Sequence, residues 1–429
     1  MAVILPLIII FGHCSIMGIK VAGLTLTIGR VFIPLFVIAL LFLCLKNDDS
    51  LTLKPGRSEV MTYGVVLVWI LYGFLTLALF PYADVHNGAL ELLALLLGCM
   101  TVFCTVVLCR KQVWVYLHMG IKLAVILTMC IAVYEILTAN HMGTSKYCDP
   151  AFEQELIEIY GEEVKQLKWH IATSIFYNEN DYSAMLAVFA AFFMVGHEKQ
   201  ARWMRVVDIV GLCFIFAILY FNDAFICYIA FLLALVIAVI FGMKGIFSRI
   251  ITILSLVITR ILVYVIGEII GLKLGLSGTL IAQLDNNANG IGSLYYRINT
   301  YKVTLQETFV TSKGMGFGAG SFSKYFSQFV DSHMMMSNPH CFWFEILSEY
   351  GILVFALFVC LLVVLMVKLI MKYHRTRDSR YALIIAAGAA LIIASVAPSN
   401  FLKGGYYWLL IGMAIYLIND MRIYGKQKD

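Results

Sequence analysis

The stretch EILSEYGILVFALFVCLLVVLMVKLIM, residues 345–371, decides the fold. From Ile352 to Val367 every side chain is apolar, and the segment closes on the basic run KYHRTRDSR at 372–380. A helix needs about 20 such residues to cross the hydrocarbon of a bilayer. The rest of the chain repeats the pattern. Of its 429 residues 62% are hydrophobic and only 13% charged, with a mean hydropathy of +0.89. Soluble domains carry about 25% charged residues. A water-soluble enzyme is therefore excluded, and an all-α polytopic membrane protein is predicted.

Apolar runs near 2–18, 28–45, 61–82, 88–109, 114–137, 181–195, 205–221, 223–242, 250–271, 345–371, 381–397 and 406–420 read as about twelve spans. The basic segments are LKNDDSLTLKPGR, CRKQ, GHEKQARWMR, KGIFSR, KYHRTRDSR and the tail RIYGKQKD. With both termini in the cytoplasm, all of them fall on the inside, the side that favours Lys and Arg. The net charge of +5 thus serves orientation and gives no reason to expect nucleic acid. MAVILPLIIIFGHCSIMG, 1–18, lacks the basic start of a cleavable signal and reads as the first span. The 11 cysteines show no metal-ligand spacing, and most lie in apolar runs, where Cys acts as a small hydrophobe. No internal repeat is visible, which argues against a transporter of duplicated halves.

This topology leaves two long extracytoplasmic loops. The first, near 138–180, contains CDPAFEQELIEIYGEEVKQLKWH. Asp149 followed by Pro150 suits a helix start, and Phe152, Leu156, Tyr160, Val164 and Leu167 recur at helical spacing, so an amphipathic helix is expected. The second loop, 272–340, separates the nine helices of 1–271 from the last three in 341–429. Structureless loops of that length are uncommon unless functional.

Chemistry gathers around the second loop. In SLYYRINTYKVTLQETFV, Arg297 opens a helical pattern continued by Tyr301, Thr304, Leu305 and Thr308. KGMGFGAGSF follows, and its Gly314, Gly316, Gly318 and Gly320 remove side chains and let backbone approach a ligand. Arg297 is either a clamp for a diphosphate, through its forked donors, or a plain surface arginine. In MMMSNPHCFWFEILSEYG, Asn338 suits a helix cap and Pro339 its first position, placing His340 in the first turn. There the helix dipole disfavours the imidazolium and keeps the ring neutral, as a general base requires. The competing reading is a histidine that anchors a helix at the interface, and His333 rivals it for the role of base. Glu349 falls nine residues on, about 13 Å along the helix, where an ionisable group faces the bundle interior and has a partner. Arg260 is the other deep charge, and the two are a conceivable structural pair. In FYNENDYSAMLAVF, Asn178, Asn180 and Asp181 lead into a span from outside, alone no more than a capping sequence.

Taken together these segments resemble a known family. SNPHCFWFEILSEYGILVFALF is similar to the Pro-His-Asn and Leu-x-x-Glu-x-Gly motif of the O-antigen ligase and Wzy-type polysaccharide polymerase superfamily, to which teichuronic acid polymerases belong. YYRINTYKVTLQETFVTSKGMGFGAGSF resembles its arginine helix and Gly-x-Gly-x-Gly-x-Phe turn, and FYNENDYSAML its Asn-Pro-Asn-Asp segment. The order agrees from about residue 60 onward. Cys341 and Glu179 depart from the family's Asn and Pro, and Asp223, in FNDAF, stands where an arginine is expected.

The resemblance implies a metal-independent, cofactor-free glycosyltransferase in the bacterial cytoplasmic membrane. It would move glycan from an undecaprenyl-diphosphate-linked donor to a hydroxyl of an acceptor glycan on the outer face. His340 would take the acceptor proton. Arg297, Gly316, Gly318, Asn180 and Asp181 would bind substrate, and Glu349 and Arg260 would brace the bundle. Membrane lipid and a chain-length regulator or other assembly proteins are the implied partners. A ligase acting on a different acceptor, and a flippase for lipid-linked sugars, are the alternative functions.

Overall fold

The computed structural model describes residues 1–21, 24–46, 54–111, 113–154, 171–195, 202–242, 246–269, 293–333, 335–336, 338–398 and 404–419. The helices are α1 (Ile4–Ile10), α2 (Ile28–Lys46), α3 (Arg57–Leu79), α4 (Val85–Arg110), α5 (Trp114–Thr138), α6 (Glu179–Phe189), α7 (Arg202–Phe221), α8 (Phe225–Ile237), α9 (Ile246–Ile269), α10 (Ser293–Val310), α11 (Phe342–Thr376), α12 (Ser379–Ala394) and α13 (Gly405–Asn419). Among the described residues, seven helices are long and apolar enough to cross a membrane, and α12 and α13 are shorter apolar helices. The protein is an all-α polytopic membrane protein.

Every expected span but the first coincides with a helix. The run at 2–18 instead gives the seven-residue α1, a 3-10 turn (Phe11–His13) and an antiparallel pair, β1 (Ser15–Val21) with β2 (Leu24–Thr27). Gly12 lets this turn fold back on the start of α2: a Cβ built on Gly29 would lie 3.1 Å from the Gly12 carbonyl oxygen. Hydropathy alone does not register such a reversal.

At the centre stands α6, in which every residue from Tyr182 to Phe189 is buried. A helix apolar on all sides belongs inside a bundle. Around it α8, α12 and α13 close against α4, α5 and α11. Water exclusion does not drive helices together in lipid, so close contact must, and small residues make it. A Cβ on Gly98 would meet the Trp408 ring at 2.5 Å, and one on Gly412 would meet Thr105 at 2.7 Å, which seats α13 along α4. Trp69 of α3 packs edge-on against Tyr350 and Phe358 of α11, with centroids 5.5 and 5.2 Å apart.

One end of the bundle carries the folded loops. The first loop begins a helix at Pro150 as expected, capped by Asp149, whose carboxylate accepts the Ala151 N–H at 3.0 Å. Its predicted continuation over 155–170 lies outside the described residues. Glu135, fully buried at the last turn of α5, holds this loop in place. Its carboxylate accepts the N–H groups of Met142 (3.2 Å), Thr173 (2.8 Å) and Ser174 (2.6 Å). Asn222 adds a second bolt, bonding both the N–H and the C=O of Ala172 at 2.8 Å. The second loop, from residue 293, builds a small core of Val303, Phe317, Phe322, Tyr325, Phe326 and Met335.

Candidate functional site

The site is organised by a break in α11. Gly351 has φ +72° and ψ −178°, so the helix is interrupted rather than continuous across the predicted span. Breaking a helix inside a bundle frees backbone groups that need partners. The glycine-rich turn supplies them. Phe317 N–H donates to the Ser348 carbonyl (2.8 Å), Gly318 N–H to that of Glu349 (3.0 Å), and Ile352 N–H to that of Gly314 (2.8 Å). Gly316 is required here, because a Cβ on it would lie 2.6 Å from the Glu349 carbonyl oxygen. The missing side chain of Gly316 thus serves contact with the backbone of Glu349, and that of Gly318 contact with Ala83, where the sequence pattern suggested contact with a ligand.

Glu349 belongs to the same clasp. Its carboxylate accepts the N–H groups of Gly320 (3.1 Å) and Phe322 (3.0 Å). Beside it Glu91 accepts the Gly320 N–H (3.2 Å) and the Tyr350 hydroxyl (2.8 Å). The conceivable Arg260–Glu349 pair is not formed. The Arg260 guanidinium lies over the Tyr220 ring, 4.2 Å from its centroid, and so has a partner of its own. Glu349 takes its partners from the loop because the break at Gly351 brings that loop to it.

At the other end of the short helix lies His340. It precedes α11 rather than joining its first turn: Cys341 is the N-cap, and His340 has φ +42°. Asn338 does not cap, because its side-chain oxygen is taken by the Ser323 hydroxyl at 3.0 Å. The Cys341 thiol sits beside the N–H groups of Trp343 and Phe344 and the Tyr301 hydroxyl, where an asparagine oxygen would close the cap. The helix-dipole argument for a neutral imidazole is therefore replaced by another. Burial, together with the charges of Arg297 and Lys146, pushes the His340 pKa down to about 4, against a smaller opposing pull from Glu179. His333 is exposed and bonded to Ser332 at 2.8 Å, away from this cluster.

Arg297, on α10, lies close enough for its charge to act on His340, and its guanidinium donates to the Val396 carbonyl at 3.5 Å, just beyond α12. Lys146 arrives from the first loop, held by Glu179 at 2.8 Å with the Tyr147 and Phe152 rings beneath its ammonium. Asp181 stands one turn into α6, and Asn178 caps that helix by accepting the Asp181 N–H at 2.9 Å. The Asn180 carbonyl accepts the Cys227 thiol at 3.9 Å. Three polar atoms of the cluster are buried without a hydrogen-bond partner among the described residues: His340 Nδ1, Arg297 Nε and Asp181 Oδ1. The structure thus brings His340, Arg297 and, through Glu179 and Lys146, Asp181 to one place. It leaves Gly316, Gly318, Glu349 and Arg260 outside. Lys146 was not anticipated from the sequence, since TSKYCDP carries no motif and its neighbours are fixed by Glu135. Below the cluster, Phe342, Trp343, Phe358, Leu391, Tyr407 and Trp408 help to line an apolar groove of about 400 Å³.

The broken helix and the elements clasped to it carry the motifs by which this polytopic membrane protein resembles the O-antigen ligase and Wzy-type polymerase superfamily. In particular the chain is similar to the teichuronic acid biosynthesis protein TuaE of Bacillus subtilis. The two are 23% identical over 375 residues, which cover 82% of this chain and 70% of that protein. No family model matches the chain.

Proposed function

We propose that the protein is a polymerase of surface-polysaccharide repeat units, working on the outer face of the bacterial cytoplasmic membrane. The observation that carries this reading is the convergence of His340, Arg297 and Lys146 beside an apolar groove, near enough for both cations to act on the imidazole. The donor is a glycan on undecaprenyl diphosphate. Its isoprenoid chain lies in the groove beside Phe342 and Trp408, and its diphosphate meets the two cations. The acceptor hydroxyl oxygen attacks the anomeric carbon while His340 takes its proton. The bond from that carbon to the diphosphate oxygen breaks, and the lipid diphosphate leaves with the electron pair, its charge stabilised by Arg297 and Lys146. Side-chain cations fill the place a metal ion would take. Lys146 also supplies the charge that Asp223, in the position of an expected arginine, does not.

The similarity to a teichuronic acid biosynthesis protein supports a role in polysaccharide biosynthesis. The test is His340→Ala at normal protein abundance. Polymerase activity predicts surface glycans cut back to single units. Unchanged chain lengths would remove His340 from the reaction, and lipid-linked units left on the cytoplasmic face would identify a flippase instead.

A further inference from the structure

One stripe of α10 carries hydroxyls that the fold leaves open. Tyr301, one turn beyond Arg297, is followed by Thr304 and Thr308 at intervals of three and four residues, all on one face of the helix. Each has a buried oxygen with no hydrogen-bond partner among the described residues: Tyr301 Oη, Thr304 Oγ1 and Thr308 Oγ1. Thr304 and Thr308 are fully buried. A threonine inside a helix can close its hydroxyl on the carbonyl four residues back, as Thr300 does on Tyr296 at 2.7 Å. These two do not. The Tyr301 hydroxyl lies beside the Arg297 guanidinium and the Cys341 thiol and is closed by neither.

The stripe meets the short helix at the head of α11, where the Tyr301 ring lies flat on Phe344 with centroids 4.3 Å apart and planes 2° from parallel. At its far end the Thr308 carbonyl accepts the Gly314 N–H at 2.8 Å and the Ser312 hydroxyl at 2.6 Å. Ser312 is half-buried, and its neighbours Thr311 and Lys313 are exposed. The open hydroxyls therefore lead from the His340 cluster to the protein surface beside the clasp. At 1.5 Å per residue, neighbours on the stripe stand about 4.5 to 6 Å apart along the axis. Two hydrogen bonds of about 2.8 Å that meet on one oxygen span about 5.6 Å. Buried water typically makes about three hydrogen bonds to groups that otherwise go unsatisfied, and a seam closed by ring contact excludes a sugar.

We infer that Tyr301, Thr304 and Thr308 hold a file of water molecules that carries the proton of each turnover from His340 to the outer solution. The inference rests on the proposed role of His340 as base and adds where its proton goes. Donor and acceptor cover the ring from the side they bind, so a route behind it lets the proton leave while both are in place. The imidazolium gives an N–H proton to the first water. Each water passes on one of its own protons, and each hydroxyl accepts from one water while it donates to the next. One proton moves from His340 to solvent, and every other group ends as it began. The Arg297 charge opposes that of the imidazolium and so favours the release.

The test exchanges hydroxyl for methyl in the full-length protein, assayed in nanodiscs with lipid-linked units extracted from the source bacterium. Thr304→Val and Thr308→Val keep the shape and delete the oxygen. Each lowers kcat by about twofold to tenfold, the worth of one hydrogen bond to a barrier, with KM unchanged and a larger solvent deuterium isotope effect. Thr304→Ser and Thr308→Ser keep the oxygen and recover most of the rate. In a dry seam the order reverses: valine removes a stranded hydroxyl, so the melting temperature rises and kcat holds. That result overturns the inference. Serine variants as slow as the valine ones also overturn it, because they mark a packing role. The water itself is read without turnover, by radiolytic labelling of protein mixed into oxygen-18 water just before the X-ray pulse. Tyr301 takes up light oxygen from slowly exchanging water, and the double valine variant loses that label. Heavy oxygen on wild-type Tyr301, or no label, overturns the inference. A protein that keeps the light label but transfers no glycan overturns the proposed function and leaves the water file standing.

Discussion

The clasp at Gly351 and the cluster at His340 occupy the two ends of one short helix, and both are polar and largely buried. They differ in whether their hydrogen bonds are closed. In the clasp, both Glu349 oxygens accept backbone N–H groups, and the carbonyls of Ser348, Glu349 and Gly314 are all taken. In the cluster, His340 Nδ1, Arg297 Nε and Asp181 Oδ1 are not. Buried polar atoms in folded proteins are nearly always paired, so leftovers gathered from three elements point to a missing ligand. In the clasp the leftover is the Ser321 hydroxyl, while its carboxylate and carbonyls are spent on holding a shape; in the cluster the leftovers sit on three ionisable side chains, as binding a polar substrate requires. Glu135 sides with the clasp, since it is spent on loop N–H groups.

The comparison breaks most readily at its largest expected effects. His340→Gln lowers glycan transfer by about 10²- to 10⁴-fold, the range for a lost general base, with the melting temperature unchanged. Arg297→Gln lowers it by about 10²-fold, as for one lost donor to developing charge, again without loss of stability. Glu349→Ala does the reverse. It strands the N–H group of Phe322, while that of Gly320 keeps Glu91, and destabilises by about 1–3 kcal/mol, the cost of one unsatisfied buried group. Thermal unfolding in detergent, set beside activity per folded molecule, separates the two classes. An inactive but fully stable Glu349→Ala would move Glu349 into the chemistry.

The contrast explains what the sequence disclosed. Apolar runs announced α2 to α9 and α11 to α13, because bilayer thickness fixes their length. They misreported the two places where backbone turns back inside an apolar run. One is Gly12 against Gly29, and the other is Gly351, whose break is stabilised by a turn 35 residues earlier at Gly316. Motif spacing singled out His340 and Arg297, and the structure places both in the cluster. It gave the wrong reason for the neutral imidazole, since Asn338 is drawn off to Ser323 and the helix starts later. Lys146 was invisible because its position depends on Glu179 and the Tyr177 carbonyl, more than 30 residues on, and local pattern carries no trace of those bonds.

A smaller effect sharpens the cluster from within. Lys146→Met removes one cation and leaves the Glu179 carboxylate facing His340. KM for the lipid-linked donor should rise by about tenfold, as for one charge-assisted contact, while kcat falls less. Lys146→Arg restores most of it. A purely structural lysine would move the melting temperature and leave KM alone.

The smallest expected change is in the pH profile. With the free-enzyme pKa of His340 near 4, the ring is still about 97% neutral at pH 5.5, whereas an ordinary imidazole of pKa about 6.5 would be roughly one-tenth neutral. The value of kcat/KM reports the free enzyme, so it should fall by under about 10% between pH 7.5 and 5.5, not tenfold. Stability carries the opposite side of the same shift. Between the unfolded pKa of about 6.5 and the folded value, the unfolded chain binds more protons, so stability is lost as pH falls through that window. In Lys146→Met the smaller of the two lowering charges is gone, while burial and Arg297 still hold the pKa down, so the acid limb of kcat/KM should move up only part of the way toward neutrality. A limb that stays in place would mean that Lys146 does not act on His340, and the cluster would reduce to His340 and Arg297.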